Sequence, residues 1–117
     1  MTEGKNCLFC RIIKGEIPSQ IVYESPEILG FRDINPQAPT HILLVPRQHI
    51  ATTNDLEDAH AEIIGKLVLV ARDLAKKEGI SEAGYRLVFN CNRNAGQAVF
   101  HIHLHLLGGR VFSWPPG

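Results

Sequence analysis

Apolar and polar positions alternate with two different periods along this chain, and the change of period divides it into elements. Short runs rich in β-branched and aromatic residues occupy "QIVYE" (20–24), "ILGFRD" (28–33), "HILLVP" (41–46), "YRLVFN" (85–90) and "FHIHLHLL" (100–107), each bounded by Gly, Pro, Asn or Ser. Five strands are predicted. Between the third and fourth, "LEDAHAEIIGKLVLVARDLAKKEG" sets Ile63, Ile64, Leu67, Val70, Ala71 and Leu74 at helical spacing, with Gly79 placed to cap the end. This is the one long helix, and a short N-terminal helix is expected within the first dozen residues. Short turns between strands favour antiparallel neighbours, and one helix suffices to cover one sheet face. The predicted class is α+β: a five-stranded antiparallel sheet, one long helix and a short N-terminal helix. No repeat, low-complexity tract or linker interrupts the chain, so residues 1–117 read as a single domain, of a size that buries roughly two-thirds of the unfolded surface.

The fifth run carries the densest chemistry. In a strand over 100–107, His101, His103 and His105 share one face, while Ile102, Leu104 and Leu106 share the other and go to the core. Same-face neighbours lie about 6.6 Å apart, so two imidazolium rings at an effective dielectric of about 20 repel by roughly 2.5 kcal/mol. That corresponds to about two pKa units. Adjacent rings resist charging together, and His103, with a neighbour on each side, is the one most strongly held neutral. A nucleophile and a metal ligand both require neutral imidazole. Spacing alone leaves attack on a substrate and coordination of an ion both open.

Charge and cysteine usage narrow the remaining classes. Lys plus Arg and Asp plus Glu both count 12, so there is no basic excess to hold a nucleic-acid backbone non-specifically. No stretch approaches membrane-spanning length, and "MTEGKNCLFC" lacks the apolar run of a signal peptide, so a cytoplasmic protein is expected. Three cysteines, two of them spaced Cys7-x-x-Cys10, suit a metal clip better than a secreted disulfide framework. The pair can also be redox-active or simply two free thiols; a redox pair wants a strand just before it, which residues 1–6 do not supply.

Other residues offer chemistry with more than one use. "NCNRNAGQ" (90–97) provides amide side chains and a Gly96 whose backbone N–H can approach a phosphate, or it is an ordinary polar hairpin loop. Asp33 can accept both hydroxyls of a vicinal diol, or bond backbone in the turn before Pro36. His41 in isolation reads as a partly buried histidine with one hydrogen bond, and His60 as a surface residue on the first turn of the long helix.

The segment "HIHLHLLGGR", together with "GEIP", "VYE", "DINPQAPTHILLVPRQHI", "GYRLVFN", "AGQAVF" and the terminal "WPPG", resembles the histidine-triad nucleotide-binding proteins, in their nucleoside phosphoramidate hydrolase branch. The resemblance runs from Cys7 to Gly117. It implies hydrolysis or transfer at the α-phosphorus of a purine nucleotide, with adenosine 5'-phosphoramidates as substrates and a covalent nucleotidyl group on His103. His105 is then an orienting or phosphate-contacting group and His41 a supporting one. Asn90, Gly96, Gln97, Ala98 and Val99 fall where phosphate and ribose are held, and Asp33 and Ile34 where the ribose is. Phe9, Ile12, Ile17 and Phe31 match an apolar slot for the purine. Cys7, Cys10, His49 and His101 match a structural zinc site of some bacterial members, with no cofactor required for the chemistry. A homodimer is also implied, its two sheets joined edge to edge and each "WPPG" tail reaching toward the partner's site. One departure stands out: Ala98 replaces a serine of the animal enzymes, which puts leaving-group preference in doubt. Two other readings of the same residues are a metal-dependent hydrolase with the triad as zinc ligands, and a non-catalytic nucleotide-binding adaptor.

Overall fold

The computed structural model describes residues 6–117; the first five, part of the expected polar N-terminus, lie outside the described residues. Helix α1 spans Leu8–Ile13 and helix α2 Ala61–Lys77, and the strands are β1 (Ile21–Glu24), β2 (Ile28–Arg32), β3 (Thr40–Pro46), β4 (Tyr85–Phe89) and β5 (Leu104–Gly108). All neighbours pair antiparallel, in the order β1-β2-β3-β5-β4. This is the α+β class read from the sequence. Among the described residues no helix is long and apolar enough to cross a membrane.

The sheet has a helix on each face, which explains why β3 reads as an unbroken apolar run and is buried at all seven positions. On one face, Leu67, Ala71, Leu74 and Ala75 of α2 pack on Ile28, Ile42, Leu44, Leu104 and Leu106. On the other, Phe9 and Cys10 of α1, with Cys7, cover Leu29, Phe31, Leu43 and Val45. Gly79 ends α2 as predicted: with φ +78 its N–H donates to Lys76 O at 3.1 Å, and the Ile80 N–H reaches back to Ala75 O at 3.0 Å. Ile80 then packs on Gly108, where a Cβ would collide with it.

Two element starts differ from the sequence expectation by more than one residue, and each is explained by specific hydrogen bonds. The helix expected from Leu56 starts at Ala61, and Thr53–Asp55 and Asp58–His60 form two 3₁₀ turns ahead of it. The Thr52 hydroxyl accepts the Asn54 N–H at 3.1 Å, while the Asp55 carboxylate accepts the Thr52 N–H at 3.1 Å. His60 therefore precedes the helix, half-buried, its Nδ1 accepting the Glu57 N–H at 2.9 Å. At the other boundary β5 begins at Leu104, not at residue 100, because the Ile102 N–H donates to Ile50 O at 2.7 Å instead of joining the ladder. His101 and His103 thus sit on the segment leading into the strand. The core set is nonetheless the predicted one: Ile102, Leu104 and Leu106 are all buried.

Candidate active site

Burial beneath α1 makes the histidine face an interior. His101 is fully buried and His103 is 8% exposed, with the Phe9 ring edge-on to His103 at 5.0 Å between centroids and an interplanar angle of 86°. His103 Nδ1 lies 2.8 Å from His101 O. A carbonyl oxygen only accepts, so the proton is on Nδ1 and the neutral ring carries its lone pair on Nε2. Burial pushes His103 below the ordinary histidine value, against the His101 carbonyl and Asp33, which favour the charged form. His105 falls to about 4, through burial first and then the neighbouring His103 and His41. His101 falls to about 4 as well, again mainly through burial. Ring repulsion predicts the same neutral state but singles out His103. Burial is instead the leading cause at all three rings, and the flanking two are the ones that reach about 4.

Backbone contacts also orient the rings beside His103. The Gln37 N–H donates to His41 Nδ1 at 3.0 Å, so the His41 proton is on Nε2. That nitrogen lies 2.9 Å from His105 Nδ1 and 3.5 Å from Asp33 Oδ2. His105 Nδ1 then accepts, and its remaining proton is on Nε2. Asp33 stands one residue beyond β2 and also makes the turn contact, its Oδ1 accepting the Asn35 N–H at 2.9 Å. Burial lowers the His41 pKa while Asp33 opposes the shift.

A cavity of about 310 Å³ opens onto these groups. Phe9, Ile12, Ile17 and Phe31 line it together, as do Asp33 and Ile34, and it reaches Asn90, Gly96, Ala98, Val99, His103 and His105. Two residues expected at the site are not in its wall. His41 stands behind His105. Gln97 is 7% exposed, its Oε1 accepting the Asn92 N–H at 2.8 Å and its Nε2 donating to Ala51 O at 2.8 Å and Val99 O at 3.1 Å, so it staples the 92–97 loop instead of facing the cavity. The Gly96 N–H is engaged too, by Arg93 O at 3.0 Å. Leu8, Pro18, Ser19, Arg32 and Leu43 complete the wall without having been singled out in the sequence. Leu43 arrives because it is the register partner of Phe31, a pairing the alternation pattern alone does not specify.

On the far side of His103, Cys7, Cys10, His49 and His101 bring one ligand atom each to within 4.8 Å of one another. Individual separations are 3.4 Å for Cys7 Sγ to His101 Nδ1, 3.3 Å for Cys10 Sγ to His49 Nδ1, 3.5 Å for Cys10 Sγ to His101 Nδ1, and 3.2 Å between the two Nδ1 atoms. A tetrahedral zinc site with Zn–N of about 2.0 Å and Zn–S of about 2.3 Å has ligand–ligand edges of roughly 3.3–3.8 Å. His101 Nε2 donates to Pro46 O at 2.8 Å, which leaves the Nδ1 lone pair directed at the cluster. The donor set fits zinc. Burial and the neighbouring Cys7 push the Cys10 thiol up to about 11, so in the metal-free protein it keeps its proton until an ion displaces it.

Comparison with known proteins gives concordant results. Residues 14–112 match the HIT domain family. The chain is 53% identical over 107 residues to the purine nucleoside phosphoramidase of Escherichia coli K12, covering 92% of this chain and 90% of that protein. It is 54% identical over 112 residues to a 14 kDa zinc-binding protein of Zea mays, covering 94% and 87% respectively. A crystal structure of a HIT family hydrolase from Legionella pneumophila superposes with a TM-score of 0.94 at 59% identity, covering 96% of this chain and all of that one.

Proposed function

The chain belongs to the HIT domain family, and we propose that it is a nucleotide hydrolase that cleaves purine nucleoside 5'-phosphoramidates through a covalent nucleotidyl group on His103. The observation that carries this reading is the hydrogen bond from His103 Nδ1 to His101 O, which leaves a neutral nucleophilic nitrogen on a residue lining the cavity. The name of the Escherichia coli relative supports the substrate class.

His103 Nε2 attacks the α-phosphorus, forming a P–N bond as the bond to the leaving amine breaks. The amine departs with a proton, for which His105 Nε2–H is the nearest donor implied by the ring contacts. The phosphorylated imidazole is cationic, and the Nδ1–H bond to His101 O stabilises it. Water then adds to phosphorus and releases His103. Asp33 and Ile34 take the ribose, Asn90 and the backbone at Ala98 and Val99 the phosphate, and Phe9, Ile12, Ile17 and Phe31 the purine. Gln97 holds the loop that presents them. Cys7, Cys10, His49 and His101 hold a structural zinc ion, which fixes the N-terminal segment against the segment bearing His103. The protein works in the reducing cytoplasm, where Cys7 and Cys10 stay available as thiols.

Ligand geometry disfavours the metal-hydrolase reading: His101 belongs to the thiol cluster, His105 to the group with Asp33 and His41, and His103 to neither. A homodimer is part of the proposal. Strand β4 is a sheet edge, Val68 and Leu69 on α2 are 40% and 50% exposed, and Trp114 in the tail is 81% exposed, surface that a second copy would cover. Sedimentation at a dimer mass is expected.

The test is intact-protein mass spectrometry after an acid-free quench with adenosine 5'-phosphoramidate, comparing the wild type with His103→Ala. An adduct of about one AMP on the wild type alone is expected. No adduct on either protein, with turnover abolished by a chelator, would overturn the covalent reading in favour of the metal-dependent one.

A further inference from the structure

The cavity wall contains one polar side chain that the proposed chemistry leaves without a task. Ser19 lines the cavity beside Ile17 and Pro18, half-buried, and its hydroxyl makes no hydrogen bond to any described residue. Other polar groups of the wall are accounted for. Arg32 is held by Glu78 through two bonds of 3.0 and 2.9 Å, Asp33 accepts from Asn35 and faces His41, and the histidines are oriented as described.

Strand register places Ser19 with respect to the sugar. Ile21 pairs with Phe31, and the Arg32 N–H donates to Gln20 O at 3.0 Å, so continuing the antiparallel ladder sets Ser19 opposite Asp33. Cross-strand partners share a face, and both residues line the same cavity. A nucleotide whose ribose lies on Asp33 and whose base enters the apolar slot presents the sugar-proximal edge of that base to Ser19. In adenine this edge carries N3, an acceptor; in guanine it carries N3 and the 2-amino donor. A hydroxyl both donates and accepts, so it serves either base.

We propose that Ser19 is a base-recognition residue of the site, its hydroxyl donating to N3 of adenine or accepting from the 2-amino group of guanine, which makes the slot a site for purines generally. The inference rests on the nucleotide-hydrolase reading and deepens it by naming the contact that complements the apolar slot. Without such a contact, stacking and burial alone would accept any flat ring of similar size.

The experiment is a two-by-two comparison of wild type and Ser19→Ala against AMP and 3-deaza-AMP, in which carbon replaces N3, with Kd read by calorimetry and kcat/KM read on the matching phosphoramidates. Removing either partner should weaken AMP binding by about three- to tenfold, the range of one neutral hydrogen bond. Removing both should cost no more than removing one. Independent, multiplying losses, or a Ser19→Ala protein that binds AMP like the wild type, would overturn the Ser19 assignment while leaving the nucleotide site intact. Failure of the wild type to bind AMP at all would overturn the site reading and this inference together.

Discussion

On either side of His103 stands a cluster composed like a metal site, and the two have opposite chemistry. Cys7, Cys10, His49 and His101 form one; Asp33, His41 and His105 form the other; in both, the ligand atoms lie within 4.8 Å. One backbone contact decides each. His101 donates its Nε2–H to the Pro46 carbonyl, so a lone pair faces the thiols, as a cation site requires. His41 receives the Gln37 N–H on Nδ1, so a proton faces Asp33 and His105. To ligate an ion through Nε2, His41 would have to give up that proton and become an imidazolate. The second cluster is therefore a hydrogen-bond relay. Residue type is a poor guide to metal binding until the partner of the other ring nitrogen is known.

Breaking the thiol cluster should give the largest effect. Cys7→Ala/Cys10→Ala is expected to abolish zinc binding in native mass spectra and to lower Tm by roughly 10 °C or more, since structural zinc contributes folding free energy directly. Activity per folded molecule should survive within a few-fold. If it vanished while the protein remained folded, the division between a structural and a chemical cluster would fail. His41→Ala should do the reverse, leaving zinc stoichiometry and Tm nearly unchanged while kcat falls about 10- to 100-fold, because His105 loses the contact that fixes its tautomer.

Acidification should strike the relay next. Unfolded histidine titrates near 6.5, whereas folded His105 holds out to about 4, so the unfolded state takes up its proton first. The stability this group contributes is fully present above pH 6.5 and is lost as the pH falls from 6.5 toward 4, which a series of thermal melts would follow. His103 is shifted in the same direction, so the acid limb of kcat/KM should lie below 6.5; a limb at or above that value would contradict a buried neutral nucleophile. The smallest effect belongs to Asp33→Asn, which keeps the shape but weakens the acceptor. KM for a ribose substrate should rise about three- to tenfold, with no comparable change for the 2'-deoxy substrate.

Much of this arrangement is legible from one dimension. The period-two run at 100–107 identifies Ile102, Leu104 and Leu106 as core and puts the three histidines together, and the helical spacing of Leu67, Ala71 and Leu74 marks the packed face of α2. The exact extent of β5 is not, since the bond from Ile102 N–H to Ile50 O joins segments about fifty positions apart, which no local pattern encodes. Nor is the burial of the histidine face, because its cover is the short helix α1, whose only signal is a pair of cysteines and Phe9. A similar distance hides the displacement of Gln97 from the cavity wall: an amide beside a loop looks like a ligand contact until the Ala51 carbonyl, 46 positions away, claims it. Local sequence predicts which groups assemble; their protons are oriented by near neighbours at His103 and His41 and by a contact across the fold at His101.

Phe9 belongs at once to the wall of the slot, to the helix that follows Cys7, and to the cover over His103. With the base in this cavity and His103 as nucleophile, as proposed, substrate range and reactivity are not independent traits in this protein. A lineage that trimmed Phe9 to admit a bulkier base would also hydrate the nucleophile and loosen the helix that carries the thiols, so drift toward new substrates at this position is constrained by pleiotropy. Ile34, 95% exposed at the rim, lies outside that coupling, and a change there would fall on the proposed ribose contact.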